Sequence, residues 1–131
     1  MFLKKPTYND PDIGEFTFSG GCWHALVDHD ADEKLFVSVV GEKSGLSNES
    51  LRQAKLLLSN PGKYVDQAKR YIENQDISDF MKGNGTLILG GIYSHDESGQ
   101  FDLDFGLSNW DDASITVHFK DYEPVEITLG D

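Results

Sequence analysis

The last third of this chain alternates apolar and polar residues with a period of two, and this pattern constrains the fold more than any other feature of the sequence. Phe101, Leu103 and Phe105 occupy every second position, and two acids, Asp102 and Asp104, stand between them. The alternation recurs over residues 115–120 and 125–129. Successive side chains of a strand point to opposite faces of its sheet. The pattern therefore predicts antiparallel strands with one buried face and one wet, acidic face.

The middle of the chain has the spacing of amphipathic helices. Leu51, Ala54 and Leu58 fall at positions i, i+3 and i+7, and Ser47 or Asn48 can cap this helix. The helix is expected to end near residue 60, because the proline that follows disfavours a helical conformation before it.

A second helix is predicted to begin at Pro61, since proline is favoured at the first helical position. Val65, Ala68 and Ile72 repeat the spacing of the first helix. Each helix has a single apolar stripe, so each is expected to cover the sheet on one side only.

Residues 14–42 have the composition of short strands. Apolar and β-branched residues cluster at 16–18, 23–27 and 35–40, with turn sequences between them. Together the blocks predict one α+β domain over residues 1–131. We expect an antiparallel sheet of about six to seven strands, with the helix pair inserted between N-terminal and C-terminal strands and packed on one face.

The charge of the chain is concentrated at its C-terminal end. The protein has 23 acidic and 11 basic side chains and a formal net charge of −12. Residues 94–131 contain ten of the acids and one base, Lys120, a net charge of −9. Such a field repels nucleic acid and anionic membranes and attracts basic surfaces. We therefore expect neither nucleic acid nor membrane as a partner.

The composition favours a folded cytoplasmic protein. Hydrophobic residues make up 38% of the chain and aromatic residues 11%, which argues against disorder. Cys22 is the only cysteine, as suits a reducing compartment. No signal-like apolar stretch follows the first lysines, and no apolar run approaches the ~20 residues of a membrane span.

The sequence contains no complete metal-binding pattern. Asp28, Asp30 and Asp32 have the spacing that opens a calcium loop, but Glu33 replaces its glycine and Val39 its final glutamate. We expect a solvated hairpin turn there, with weak cation binding as the alternative. The four histidines share no short ligand spacing, so neither a metal nor another cofactor is predicted.

The paired acids near the C-terminus leave three interpretations open. Asp102 and Asp104 project from one face of a strand, and Asp111 and Asp112 follow Trp110 in a predicted loop. These carboxylates can form a solvated acidic face, a binding face for a basic partner, or the acid and base of a small hydrolase.

Part of the chain is similar to a known type of domain. Residues 46–51 (LSNESL) through 68–72 (AKRYI), and 92–93 through 127–128, carry the similarity, which covers about two thirds of the chain. In these segments the chain resembles small acidic bacterial domains of unknown function, in which a β-hairpin leads into a capped helix pair and a C-terminal sheet. Such domains are often suspected to be immunity proteins for toxins used between competing bacteria. The resemblance brings no catalytic residue.

The leading hypothesis is a cytoplasmic inhibitor, not an enzyme, that neutralises a bacterial toxin with a basic surface. The predicted partner-binding residues are Asp102, Asp104, Trp110, Asp111, Asp112, Tyr122 and Glu123. Phe105 is a further candidate for an apolar anchor. The alternatives are a non-enzymatic binding module with another ligand and, less favoured, a small hydrolase that uses Asp102, Asp104 or His118. A homodimer is left open.

Overall fold

The computed structural model describes residues 5–30 and 33–130. Within them the chain forms nine strands and three helices. The first strands are β1 (Thr7–Asp10), β2 (Gly14–Ser19), β3 (Cys22–Asp30), β4 (Glu33–Glu42) and β5 (Gly45–Leu46). The helices are α1 (Asn48–Ser59), α2 (Pro61–Glu73) and α3 (Ser78–Met81). The last strands are β6 (Leu87–Ser94), β7 (Phe101–Leu107), β8 (Trp110–Lys120) and β9 (Glu123–Gly130).

All described strands belong to one sheet made of two antiparallel meanders placed side by side. The strand order is β1-β2-β3-β4-β6-β7-β8-β9, and β5 pairs with β4. Only β4 and β6 are parallel neighbours within the described residues, with Phe36 opposite Gly91 and Ser38 opposite Tyr93. Parallel neighbours require a crossover connection, and the helices between β5 and β6 provide it.

The two long helices begin where the local chemistry predicts. Ser47 is the N-cap of α1, and its Oγ accepts a hydrogen bond from the backbone N–H of Ser50 at 3.2 Å. Pro61 is the first residue of α2. Proline at that position ends the preceding helix and is compatible with the first turn of the next one. The predictions that Ser47 or Asn48 caps the first helix and that Pro61 begins the second are confirmed.

Both long helices bury one stripe in the core on one side of the sheet. Leu57 of α1 and Ile72 of α2 are almost fully buried, in the same cluster as the apolar side chains of β7 and β8. Phe101 and Phe119 stack in this cluster with ring centroids 4.5 Å apart. The predicted alternation of buried and wet positions in β7 and β8 is confirmed, and the fold is a mixed α/β domain.

Two expectations about the sheet are corrected. The described residues form nine strands rather than six to seven, because β1 and β5 are too short to be recognised by periodicity. The apolar positions of β9 are not all buried, since Val125 is 53% and Leu129 is 40% exposed. β9 lies at the end of the strand order, so among the described residues it has a strand neighbour on one side only.

The predicted hairpin turn at residues 28–34 is shorter than expected. β3 continues to Asp30 and β4 begins at Glu33. Asp28 forms an ion pair with Lys34. Asp32 lies outside the described residues, so the alternative of weak cation binding stays untested.

None of the helices in the described chain is both long and apolar enough to cross a membrane.

Candidate functional site on the open face of the sheet

The face of the sheet opposite the long helices presents a continuous set of polar and aromatic side chains, which we call the open face. The strand register aligns them in two rows across the sheet. The first row is His24, Ser38, Tyr93, Asp102, His118 and Glu126, and the second is Leu26, Phe36, Gly91, Asp104, Thr116 and Thr128. Because side chains alternate between faces along each strand, the members of both rows belong to the same face.

The half of the open face on β3, β4 and β6 is aromatic and aliphatic. The rings of His24 and Phe36 stack at 5.1 Å, and those of Phe36 and Tyr93 lie 6.0 Å apart. Leu26 is 63% exposed, more than any other large apolar side chain of the described residues. Apolar side chains grouped next to solvent are typical of surfaces that contact another molecule.

The half of the open face on β7 to β9 is acidic, and Asp102 binds two imidazoles there. Its Oδ2 lies 2.9 Å from His95 Nε2, and its Oδ1 lies 2.8 Å from His118 Nδ1. The hydrogen bond and charge of Asp102 raise the pKa of His95 above 6.5, against the opposing effect of burial. Burial raises the pKa of Asp102, but the two histidines together outweigh it and lower that pKa below 3.8. Asp102 is therefore ionised at neutral pH.

The line of hydrogen bonds continues from Asp102 through His118 to the edge of the sheet. His118 Nε2 lies 2.7 Å from Thr128 Oγ1. His118 is directly opposite Asp102 on β7 and diagonally across from Thr128 on β9. Hydroxyl, imidazole and carboxylate thus follow one another in the order of a nucleophile relay.

Asp104 adds a second carboxylate to the same surface. Its Oδ1 accepts hydrogen bonds from Ser114 Oγ at 2.7 Å and Thr116 Oγ1 at 2.9 Å. No lysine or arginine of the described residues forms an ion pair with Asp104 or Asp102. Burial raises the pKa of Tyr93, and the charges of Asp104 and Asp102 raise it further, so the phenol stays protonated. This half of the open face is therefore acidic overall, and its one lysine on β8, Lys120, forms an ion pair with neither carboxylate among the described residues.

The turn that bears His95 is held in place by a buried side chain of α1. Gln53 is fully buried, and its Nε2 donates to the carbonyl oxygen of Gln100 at 2.8 Å and to Ser94 Oγ at 3.1 Å. Its Oε1 accepts from the backbone N–H of Gly99 at 2.7 Å. These three hydrogen bonds of the Gln53 amide stabilise the turn, because a buried polar group that loses its hydrogen-bond partner costs free energy.

The turn between β6 and β7 also contacts the turn between β8 and β9. Asp121 and Tyr122 have φ values of 53° and 65°, as in a two-residue type I′ hairpin. The N–H of Tyr122 donates to the carbonyl oxygen of Gly99 at 3.0 Å, and its hydroxyl lies 2.6 Å from Ser98 Oγ. Positive φ is uncommon for a tyrosine, and these contacts stabilise it.

The seven predicted partner-binding residues lie in three separate places. Asp102 and Asp104 are on the open face. Tyr122 and Glu123 are at one end of β8, in and just after the turn to β9. Residues 110–112 begin β8 at its other end, about 30 Å away by strand rise. A single contact patch centred on Asp102 does not include all seven.

Of the three apolar anchors expected from the sequence, one is fully buried and two are partly buried against other elements. Phe105 is fully buried. Trp110 is not in a loop, because it is the first residue of β8, and its ring packs on Phe80 of α3 with centroids 4.8 Å apart. Tyr122 is half-buried against the core cluster.

Sequence reasoning did not select the residues that take their place. Leu26 and Phe36 are directly opposite each other on β3 and β4. Their position in the strand alternation could have identified them. Each is next to a buried residue, Ala25 or Val37, and so points away from the core. His95 and Thr128 had no comparable signal, because their roles depend on contacts across strands.

The chain matches no known protein family, and neither a curated protein nor a solved structure shows significant similarity to it. In the described parts of the chain, no three His, Cys, Asp or Glu side chains are grouped so that they could hold a metal ion. Any function therefore has to be argued from the chemistry of the chain's own side chains.

Proposed function

We propose that this protein is a cytoplasmic inhibitor of the immunity type, which binds a basic bacterial toxin through the open face and blocks that toxin's active surface. The observation that carries the proposal is the position of two acids on the sheet face opposite the helices. Asp104 is in the same row as the exposed Leu26 and the ring of Phe36, and Asp102 is in the neighbouring row with Tyr93. Charge gives such a surface its choice of partner, and apolar contact gives it affinity.

The wider charge distribution supports a basic partner. Asp96 and Asp121 belong to the two turns that contact each other beside Asp102, and Glu126 lies on the open face itself. A field of this sign accelerates association with a positive surface to about 10⁸–10⁹ M⁻¹s⁻¹ at low salt and disfavours acidic partners.

The apolar half of the open face supports a protein rather than a small ion as the ligand. Leu26, Phe36 and Tyr93 form an aromatic and aliphatic strip beside the acids. Interfaces between proteins combine an apolar centre of this kind with a polar rim, and tyrosine is enriched in their most important contacts.

Capture from the native organism tests the proposal. Immobilised protein is exposed to a cell lysate at low and moderate salt, and bound proteins are identified by mass spectrometry. Wild-type protein should retain one basic protein, and Leu26→Asp or Asp104→Asn should reduce its capture about tenfold. The captured protein should also arrest growth when it is expressed alone, and co-expression of wild-type protein should restore growth.

Leu56→Asp is the matched control, because Leu56 is an exposed leucine of α1, at 43% exposure, away from the open face. Equal capture by Leu26→Asp and Leu56→Asp would show that the open face is not the surface that binds the partner. A captured protein without toxicity would instead favour the binding module with another ligand.

A small hydrolase is a second candidate, favoured by the line from Thr128 through His118 to Asp102. In this reaction Thr128 Oγ1 would attack the carbonyl carbon of an ester while its proton passes to His118 Nε2. The imidazolium would then protonate the leaving alcohol, and water would hydrolyse the acyl-threonine. Hydrolysis of p-nitrophenyl acetate should be lost in Thr128→Val and kept in Thr116→Val. Equal rates in the two variants would exclude this candidate.

A further inference from the structure

The two edges of the sheet differ in how they are protected. β1 is four residues long, and Pro6 and Pro11 flank it. Short edge strands bounded by proline resist pairing with other chains. β9 is eight residues long and, within the described residues, pairs only with β8. Its one proline, Pro124, is at the second position, so residues 125–130 retain their backbone donors and acceptors.

The unprotected edge is also apolar. Val125 is 53% exposed, Leu129 is 40% exposed, and Ile127 between them is half-buried. An extended peptide binds a sheet edge through main-chain hydrogen bonds, and side-chain contacts at alternate positions provide specificity. β9 offers both kinds of contact.

A groove of about 280 Å³ lies between α2 and the beginning of β9. Gln67, Arg70 and Tyr71 line it from the helix, and Glu123 and Pro124 line it from the strand. Oε1 of Gln67 is shielded from solvent and receives no hydrogen bond from any described residue. A buried acceptor without a donor is costly, so the described chain leaves a polar group beside this groove unsatisfied.

Charge differs between the two sides of this edge. On the open-face side, Glu126 is opposite His118, in the same row as Asp102. On the helix side, Arg70 lines the groove. On the open-face side, a side chain of an added strand would therefore meet negative charge. On the helix side it would meet largely apolar surface, since Arg70 shares the groove with Glu123.

We propose that the edge of β9 binds an extended segment of the protein partner, which joins the sheet as a further strand. Its alternate residues are basic on the open-face side and apolar on the side of α2. The inference rests on the proposed function for the basic character of the partner. A second copy of this chain is disfavoured, because a symmetric antiparallel pairing centred on two β9 strands would bring Glu126 opposite or diagonally next to Glu126 of the other copy.

A synthetic strand tests the proposal. The probe is a blocked, fluorescently labelled nonapeptide of alternating lysine and valine, titrated with the full chain at low salt while its anisotropy is measured. We expect saturable binding that weakens about tenfold when alternate backbone nitrogens are methylated, because methylation removes strand hydrogen bonds and keeps the side chains. Glutamate in place of lysine should abolish binding.

Two leucines provide matched variants of the protein. Leu129 on β9 and Leu56 on α1 are 40% and 43% exposed, so lysine at either site adds the same charge at a similar depth. Leu129→Lys should weaken peptide binding about tenfold, and Leu56→Lys should change it less than twofold. No binding, equal affinity for the methylated peptide, or equal effects of the two variants would overturn the proposal. A dimer in sedimentation velocity that Leu129→Lys dissociates would overturn it too, because a second copy would then occupy the edge.

The two proposals fail in different experiments. If the lysate provides no toxin but the peptide binds in a methylation-sensitive way, the toxin partner fails and the strand site stands. If capture depends on Leu26 but the peptide binds regardless of methylation, the open face stands and the strand site fails.

Discussion

The side chain of Gln53 and the backbone of Gly99 are joined by a buried hydrogen bond of 2.7 Å. This bond connects α1, on the helix side of the sheet, to the turn between β6 and β7. β7 follows that turn and presents Asp102 on the open face. His95 belongs to the same turn and contacts Asp102. The position of one imidazole therefore depends on a side chain that never reaches the open face.

Gln53→Ala should lower the free energy of unfolding by about 3 kcal/mol, because it leaves buried groups of the turn without partners. Urea unfolding monitored by tryptophan fluorescence measures the change. Leu56→Ala on the same helix should cost less than about 0.5 kcal/mol, since Leu56 is largely exposed. Equal costs for the two variants would contradict the role given to Gln53.

The stability contributed by His95 should depend on pH with a defined sign. The pKa of His95 is raised above 6.5, so its contribution is present below that pH and is lost as the pH rises through the raised value. The pKa of Asp102 is lowered below 3.8, so its contribution is present above that pH and is lost as the pH falls through the lowered value. His95→Gln should therefore destabilise the protein most between about pH 4 and 6.5.

Proton NMR provides a second measurement of the same pair. The titration midpoint of His95 should lie above 6.5 in the wild type and should decrease in Asp102→Asn, because its main cause is the hydrogen bond to Asp102. A midpoint unchanged by Asp102→Asn would mean that the two side chains do not interact in solution.

Gly99→Ala should destabilise the protein more than Gly20→Ala. Both glycines have positive φ, 84° and 62°, so alanine is strained at either position. A Cβ at Gly99 would also lie 3.0 Å from backbone atoms of Asp121 and Tyr122, whereas nothing lies within 4 Å of one at Gly20. We expect a cost of about 1 kcal/mol at Gly20 and at least about 2 kcal/mol at Gly99. Thermal unfolding of both variants measures the difference. Equal losses of stability would show that the turn of Gly99 does not contact the turn of Asp121 and Tyr122.

Charge reversal should separate the acids of the open face from those at the beginning of β8. Asp102→Lys and Asp104→Lys should slow association with the captured partner and flatten its salt dependence. Reversal of Asp111 and Asp112 should have a smaller effect, since they lie roughly 13–23 Å by strand rise from the positions of β8 opposite Asp104 and Asp102. Stopped-flow association at several salt concentrations measures both pairs. A larger effect at Asp111 and Asp112 would move the contact surface to that end of the sheet.

Much of the local structure was predictable from the sequence. Ser47 caps α1 and Pro61 begins α2, because capping and proline geometry depend on a few neighbouring residues. Phe101 is buried and Asp102 is on the opposite face, because alternation is a property of any strand. These rules are local, so they hold whatever the rest of the chain does.

The tertiary structure alone decided which of these residues meet and which remain exposed. Register placed His118 between Asp102 and Thr128, and register depends on pairing between strands that are distant in sequence. Phe80 of α3 covers Trp110, whereas Leu129 remains exposed on the edge strand. The sequence by itself determined the helices, the alternating strands and the acidic character of one face. The strand order and the position of the helices determined the site, because burial depends on what packs against a residue and not on its own identity.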